Sequence, residues 1–536
     1  MKLTFIVIIW VAFFSALPAF AQETLPPYHW ANSYIDYLKV RGYLPALSVI
    51  DRPFNRDDIA RHLLKIDWDR KSISAKDREI IKLLYKEFTG EFELLAVSSR
   101  TEWRDLIKQA ADLLDIETTF DQETPRIKGG VFGETEWHNS RETDSEFNFH
   151  LHTQAGLRWR NTVTAYNNLR IFDQADSNYI GKEYKGLFAF VEQGYLAVQQ
   201  DWIQAKVGRD WLQTGPGRSA QLLFSDNSRP FDMYQLRIGK GPVQFAFWGI
   251  QLDHMFNREP SRFFAKRYIN AHRLSFNLGN KVFLGVSEVV LYGGENRGWD
   301  LNYINPVGIY YAANVNQEPG VPSNNLLYNI DWDIYFKPNL EIYGEFLLDD
   351  YQVDNEQPGD LEPNEWGVLL GINWADPGGW NGSLLNFEYT QVRNRTYNVA
   401  DTDWGKYLHR NEVIGHFLGN NFERFDLSAT YWLEPELYFR AFTNITRQGE
   451  GRVSGAFNVD FQNFTVEEGY REAFPFGIVE RHWQSGLSLF YQPHPAGHLR
   501  VDLSYDDFDN FRHVTENGFS DVTIKLTGWF QWNRLW

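Results

Sequence analysis

The chain of 536 residues contains no cysteine, which removes disulfides, iron–sulfur clusters, thiolate zinc sites and any cysteine nucleophile. Basic residues are in deficit, 52 Lys and Arg against 70 Asp and Glu. The resulting net charge of −18 argues against a nucleic-acid partner, since binding phosphates needs Lys and Arg in excess. Long apolar runs are almost missing, and the mean hydropathy of −0.44 excludes a polytopic helical membrane protein. Methionine is scarce at 3, while aromatic residues are abundant at 16%. With 43% hydrophobic and 23% charged residues the chain is not disordered.

The one apolar run, Leu3 to Phe14, follows Met1-Lys2 and precedes Ala19-Phe20-Ala21, which places small residues at −3 and −1 of a cleavage site before Gln22. This pattern predicts a signal peptide over residues 1–21. The alternative, an uncleaved anchor, would need a longer run to span the bilayer.

Residues 22–119 read as a helical periplasmic domain. Trp30, Tyr34, Ile35 and Leu38 recur at helical spacing until Gly42. Asn55 to Asp58 opens a second helix with Ile59, Leu63, Leu64 and Ile66, residues 77–88 form a third, and residues 92–114 a fourth.

Over residues 120–536 the apolar period becomes two. From Phe147 to Trp159 the odd positions are mostly apolar, and the even ones include His150, His152, Gln154 and Arg158. A soluble strand averages about 5–6 residues, whereas a tilted transmembrane strand needs about 9–11. Leu326, Tyr328, Ile330, Trp332, Ile334 and Phe336 form one apolar face, Pro338-Asn339 turns the chain, and Leu340, Ile342, Phe346 and Leu348 continue it. The opposite face carries Asp331, Asp333, Glu341, Glu345 and Asp349. The last strand alternates Val522, Ile524, Leu526, Gly528, Phe530 and Trp532, passes Arg534 and ends on the aromatic Trp536, the terminal pattern of bacterial outer-membrane barrels. An open sheet edge cannot face hydrocarbon, so the strands must close. At roughly 23 residues per strand and connection the segment holds about 18 strands. The fold class is an all-β transmembrane barrel of about 18 antiparallel strands with an N-terminal α-helical bundle; a soluble propeller or sandwich is the alternative.

Several local sequences resemble the capsule assembly Wzi family. They are Val207-Gly-Arg-Asp-Trp-Leu-Gln-Thr-Gly-Pro-Gly-Arg-Ser219, then Leu222-Leu-Phe-Ser-Asp-Asn-Ser-Arg-Pro230, Tyr303-Ile-Asn-Pro306, Asn324-Asn325 and Glu341 to Asp350. Phe387 to Tyr397 and Tyr407 to Gly419 continue the resemblance in order. It implies an outer-membrane barrel of 18 strands, with its helical part in the periplasm of a Gram-negative-type bacterium. It also implies a non-catalytic role in capsular or exopolysaccharide assembly or surface attachment. A saccharide-selective porin is the alternative, because both share a polar lumen. The helical part, from His29 to Tyr43 and from Arg52 to Leu63, resembles a single S-layer homology repeat, which would make Arg56 a wall-binding residue. A packed cap on the periplasmic mouth is the other reading of the same helices.

Candidate glycan-binding or lumen residues are Arg209, Asp210, Trp211, Asp331, Asp333, Glu341, Glu345, Asp349, Tyr389, Arg393, Tyr397, His409 and His416, with Trp404 and Tyr407 as further rings. Rings stack on apolar sugar faces, while carboxylates, amides and guanidinium groups hydrogen-bond to hydroxyls. Gly215-Pro216-Gly217 either shapes a ligand loop or merely turns the chain into the barrel. His150 with His152 lack a third metal ligand nearby, Asp506 to Asn510 lacks the glycine and glutamate of an EF-hand, and Ser485 and His482 fall on opposite strand faces. No metal, cofactor or catalytic residue is therefore expected. The expected partners are surface polysaccharide, outer-membrane lipid, and peptidoglycan or capsule-export machinery, with the chain a monomer. An acidic lumen would favour a neutral or weakly charged glycan, or cation-dependent binding of an acidic one, with Arg158, Arg160 and Arg209 as a basic counterweight.

Overall fold

The computed structural model describes residues 23–68, 73–97, 101–114, 126–140, 145–159, 162–175, 179, 181–200, 202–239, 241–257, 263–317, 324–353, 356–400 and 402–535. The signal peptide, the boundary at 119/120, Arg160 and Trp536 lie outside them. Eighteen antiparallel strands close into a barrel: β1 (Arg126–Asn139), β2 (Glu146–Trp159), β3 (Val163–Phe172), β4 (Phe188–Gln200), β5 (Ile203–Asp210), β6 (Phe231–Ile238), β7 (Val243–Gln251), β8 (Phe263–Leu278) and β9 (Val282–Gly294). They continue with β10 (Asn325–Lys337), β11 (Leu340–Asp350), β12 (Glu365–Ala375), β13 (Ser383–Val392), β14 (Phe422–Glu434), β15 (Leu437–Gln448), β16 (Glu480–His494), β17 (Gly497–Asp509) and β18 (Phe519–Leu535). Neighbours in sequence pair throughout, and β18 returns to β1 from Lys128↔Leu535 to Asn139↔Ile524. Met255–Asn257 adds a short extra pairing on β8.

Alternation gives each wall its two faces. On β10, Ile330 and Phe336 point out while Asp331 and Asp333 are buried inside, and on β18 Val522, Leu526, Phe530 and Trp532 are exposed outside while Thr527 and Trp529 are buried. An exposed apolar band around a closed sheet is the lipid-facing surface of a membrane barrel. Among the described residues no helix is long and apolar enough to cross a membrane.

Short turns lie at one end, between β2 and β3, β4 and β5, and so on to β16 and β17; the long connections lie at the other. Among the described residues there are seven α-helices. Five of them, α1 (Ala31–Val40), α2 (Arg56–Leu64), α3 (Ala75–Glu87), α4 (Thr89–Val97) and α5 (Thr101–Leu114), form a bundle against the short-turn end. The region expected as one helix over 92–114 is thus two helices. Helix α1 stops as the stripe predicts, with Gly42 at φ 77°, a conformation open to glycine at little cost. Tyr34, Ile35, Leu38, Ile59, Leu63, Ile80 and Leu84 are fully buried, in a core continuous with Phe132, Trp432, Phe490 and Trp529 of the barrel. Polar contacts seat the bundle on the turns: Asn339 donates its backbone N–H to Val40 O at 3.0 Å, Arg41 pairs with Asp376 at 2.6 Å, and Tyr34 donates to Pro435 O at 3.2 Å.

A buried charge cluster completes this interface. Arg158 of β2 reaches Glu23 at 3.0 Å, Asp57 at 3.4 Å and Glu91 at 3.5 Å, and Lys128 of β1 pairs with Glu23 at 2.5 Å. Burial alone would raise the pKa of Glu87, but Arg56 and His29 outweigh it and hold the carboxyl at about 2 against an ordinary 4.5. Glu23 and Glu91 are shifted the same way: burial is overcome by Lys128 and Arg158 at Glu23, and by Arg56 and Arg158 at Glu91. A carboxyl depressed on folding stabilises fully above its unfolded pKa, and that stability is lost as pH falls through its folded value. Burial raises Asp57 to about 6, so its contribution has the opposite sign, weakening the fold as pH rises through that range. Bundle protection should therefore drop as pH falls from about 4.5 towards 2. Pepsin digestion normalised to unfolded chain would report it as new cuts within residues 23–114, and undiminished protection through that range would refute the assignment.

Candidate functional site

The connection between β5 and β6 folds inward through the lumen. Gln213–Thr214 pairs with Asp51–Arg52 of the helical domain, and Gly215 donates its N–H to Ile50 O at 2.9 Å. This segment starts at the long-loop end and meets the bundle from the other side, so the two together occupy the barrel interior. The glycines make this approach possible. Gly215 sits at φ 107°, and a Cβ there would lie 2.4 Å from the Glu345 carboxylate. A Cβ at Gly217 would lie 2.0 Å from Ala220 O. Gly215-Pro216-Gly217 therefore turns the chain into the barrel.

The acidic hairpin holds this insertion in place. Glu345 accepts the backbone N–H groups of Gly217 at 3.0 Å and Leu222 at 2.8 Å. Glu388 accepts those of Arg218 at 2.7 Å and Ser219 at 3.0 Å. Arg218 bridges Glu341 at 2.6 Å to Asp36 of the bundle at 3.1 Å. Arg273 makes a two-pronged pair with Asp331 at 2.6 and 2.8 Å and also donates to Asp51 at 2.7 Å. Asp333 is fully buried beside Glu341, and neither of its carboxylate oxygens has a hydrogen-bond partner among the described residues. Asp349 accepts the Tyr397 N–H. These carboxylates are buried and do not line an open acidic passage: plug backbone groups, Arg218 and the wall residue Arg273 take up all of them except Asp333, so an open acidic lumen that selects a neutral glycan is not what the hairpin forms.

A second connection, between β13 and β14, closes over the first. Ser225 donates its N–H to Ile414 O at 2.9 Å, Asn227 to Val413 O at 2.9 Å, and the Tyr397 hydroxyl to Leu222 O. Tyr397, Trp404 and Tyr407 are buried in the apolar core that results, so they are packing residues with no face open to a sugar. His416 is fully buried against Phe417 and Phe422; burial, then Arg424, pushes its pKa well below the ordinary 6.5. His409 is buried 3.2 Å from Asp253. Arg393 is half-buried over the Phe474 ring at 4.4 Å.

The remaining candidates separate by face. Asp210 points inward and is fully buried, held by Lys206 at 2.5 Å, Gln193 at 2.8 Å and Thr24 at 3.0 Å. Trp211 packs edge-on to Tyr28. Arg209 belongs to the outward face, paired with Asp232 at 2.5 Å; strand alternation separates it from Asp210. Tyr389 also lies on the outer wall, against Phe425. Arg56, expected as a wall-binding group, is buried between Glu87 at 2.9 Å and Glu91 at 2.8 Å and presents no guanidinium to a polymer. His152 stacks on Phe132 at 3.9 Å and faces Glu192 at 3.4 Å. His482 pairs inward with Asp506 at 2.8 Å, while Ser485 faces outward to Thr443 at 2.8 Å, so they form no nucleophile–base pair.

One side of the lumen keeps polar groups open to water. Along β14 to β18 the inward row carries Arg440 and Arg500, both exposed, with Asp502 2.8 Å from Arg500. Lys525 of β18 pairs with Glu136 of β1 at 2.7 Å. Arg500 and Lys525 help to line a cavity of about 350 Å³, together with Tyr28, Trp30, Phe132, Phe490, His498 and Trp529 among others. His498 stacks on Trp529 at 5.0 Å. Rings beside guanidinium, ammonium and carboxylate groups can receive both faces of a sugar. In the sequence, alternation sets Lys525 opposite the apolar row Val522, Ile524 and Leu526, but no motif singles out this group of residues.

The sequence model described as capsule assembly protein Wzi matches residues 124–518. The chain belongs to the capsule assembly Wzi family. A solved structure described as Wzi, an outer membrane protein involved in group 1 capsule assembly in Escherichia coli and a carbohydrate-binding β-barrel, is similar at 15% identity. Its TM-score is 0.58, with 95% of this chain and 99% of that chain covered. OpdK of Pseudomonas aeruginosa is similar at 10% identity and a TM-score of 0.44, over 76% of this chain and 99% of that one. No curated protein matches. This Wzi-family barrel lies in the outer membrane, its helical bundle on the periplasmic side and its long connections outside. The matched residues begin beyond the bundle, so the S-layer likeness of residues 29–63 stands apart from the family match.

Proposed function

We propose that this protein is a non-catalytic factor that assembles or attaches surface polysaccharide, and that glycan engages the water-facing side of the barrel and its outer loops. The observation that carries this reading is the plug: an inward connection and a periplasmic bundle meet inside the barrel through the Asp51–Arg52/Gln213–Thr214 pairing. A porin, the rival reading, needs a continuous aqueous path. Membership of the Wzi family supports a capsule role. Arg500 and Lys525, in the lining of the ring-walled cavity, and Arg440 on the same inward row are the proposed lumenal glycan contacts. The bundle would face wall polymer or export machinery through surfaces other than Arg56.

Deleting the gene should reduce cell-bound polysaccharide and increase the amount released to the medium. The triple change Arg440→Ala, Arg500→Ala and Lys525→Ala should lower retention of purified glycan while leaving heat-modifiable mobility unchanged. Unaltered surface glycan in the deletion strain would refute the function; unaltered binding by the folded triple variant would refute the site alone.

A further inference from the structure

The connection between β9 and β10 leaves the outer end of the barrel but descends along its outside. It contains two short helices, α6 (Leu301–Ile304) and α7 (Tyr310–Val315). Tyr303 and Tyr310 are its buried residues, packed with Tyr268 and Tyr292 of the outer wall, with Tyr303 4.9 Å from Tyr292. Tyr310 reaches the His272 ring at 4.5 Å, and Tyr311 donates its N–H to Glu288 at 2.9 Å. His272 and Glu288 pair at 3.0 Å, near the middle of β9 and on its outward face. Directly below that pair the wall is apolar and exposed, at Leu274, Val286 and Ile330. Two of the short family-like sequences meet here, since Asn324 donates to the Tyr303 hydroxyl at 2.7 Å and closes the connection at its base.

The other side of this segment is bare. Leu301 and Val307 are each 82% exposed, and Ile309, Tyr311 and Val315 are exposed as well. From Leu301 to Gln317 the sequence carries no charged residue, although Glu295, Arg297 and Asp300 immediately precede it and 23% of the chain is charged. A contiguous exposed apolar patch marks an interaction surface. This one continues the lipid-facing band of β8 to β10 and lies outside the wall, where bilayer meets protein. Charged groups on a barrel's lipid face destabilise it according to depth, and the segment covers the His272–Glu288 pair at that level. We propose that residues 301–315 form a membrane-embedded flap, with Leu301, Val307, Ile309, Tyr311 and Val315 among the acyl chains of the outer leaflet and Tyr303 and Tyr310 sealing the polar pair beneath.

The absence of native cysteine makes the test direct. Val307→Cys and Ile309→Cys would each carry an environment-sensitive dye, with the protein reconstituted in phosphatidylcholine vesicles. Tyr184→Cys, at an exposed position of the β3–β4 connection, serves as the aqueous reference, and Leu274→Cys as the lipid reference. Heat-modifiable mobility verifies that each labelled barrel is folded. Acyl-chain-brominated lipid should quench positions 307 and 309 several-fold more than position 184, and aqueous iodide should quench them several-fold less. Iodide quenching equal to that at 184, without acyl-chain quenching, would overturn the proposal. So would self-quenching that depends on protein density without acyl-chain quenching, because it would assign the patch to a second copy of the chain.

Discussion

Replacing Arg273 by alanine should loosen the Ile50–Asp51 segment of the helical domain from the barrel wall and lower the stability of the intact protein by about 3–5 kcal/mol, the cost of stranding one member of a buried ion pair. Arg273 and Asp331 are both inaccessible to solvent, with their closest atoms 2.6 Å apart. The same guanidinium donates to Asp51 at 2.7 Å and to Ile50 O at 3.2 Å, tying the wall to the strand pairing at the base of the plug. The alanine variant leaves the Asp331 carboxylate without its cation in a site water does not reach. Replacing both residues, Arg273→Leu with Asp331→Leu, removes that stranded charge and should cost less than the single change, because apolar substitutes for a whole buried pair are often near neutral. Thermal unfolding in detergent and protease cleavage near residue 50 would report the two effects separately. Equal stability in the wild type and Arg273→Ala would show that the pair does not hold the plug.

The second large effect is expected from Glu345→Ala combined with Glu388→Ala. These carboxylates satisfy the backbone N–H groups of Gly217, Arg218, Ser219 and Leu222, and each buried donor left without an acceptor costs about 1–3 kcal/mol. The inward connection should come free of β11 and β13, and trypsin should cut after Arg218 far faster in the double variant. Glu345→Gln with Glu388→Gln keeps one acceptor oxygen at each position and should recover much of the protection. If Arg218 is equally resistant in all three proteins, some other contact retains the segment.

The side of the wall each residue takes was legible, because strand alternation is a local property. Ile330 outside and Asp331 inside follow from period two alone, as does the exposed face of β18 from Val522 to Trp532. What fills the interior was not legible. Asp331 and Glu345 read as a water-lined acidic passage, since Arg273 and the N–H groups of residues 217–222 meet them only through the closed fold. Tyr397 and Tyr407 offered a sugar platform by residue type, yet they pack under Leu222 and Phe224, to which no periodicity connects them. Arg209, Asp210 and Trp211 are consecutive in one family-like stretch. The strand runs on to Asp210, so adjacent residues part to opposite faces. Arg56 fitted a wall-binding pattern in one dimension, while Glu87 and Glu91 on neighbouring helices enclose it in three.

As proposed above, this Wzi-family barrel is a plugged polysaccharide scaffold with no open pore. Conductance of the purified, intact protein across a planar lipid bilayer tests it most directly. A plugged barrel should insert, verified by antibody or labelled protein, without steady ion current above the bare bilayer. Large, stable, unblocked steps of current from the wild-type protein would contradict it.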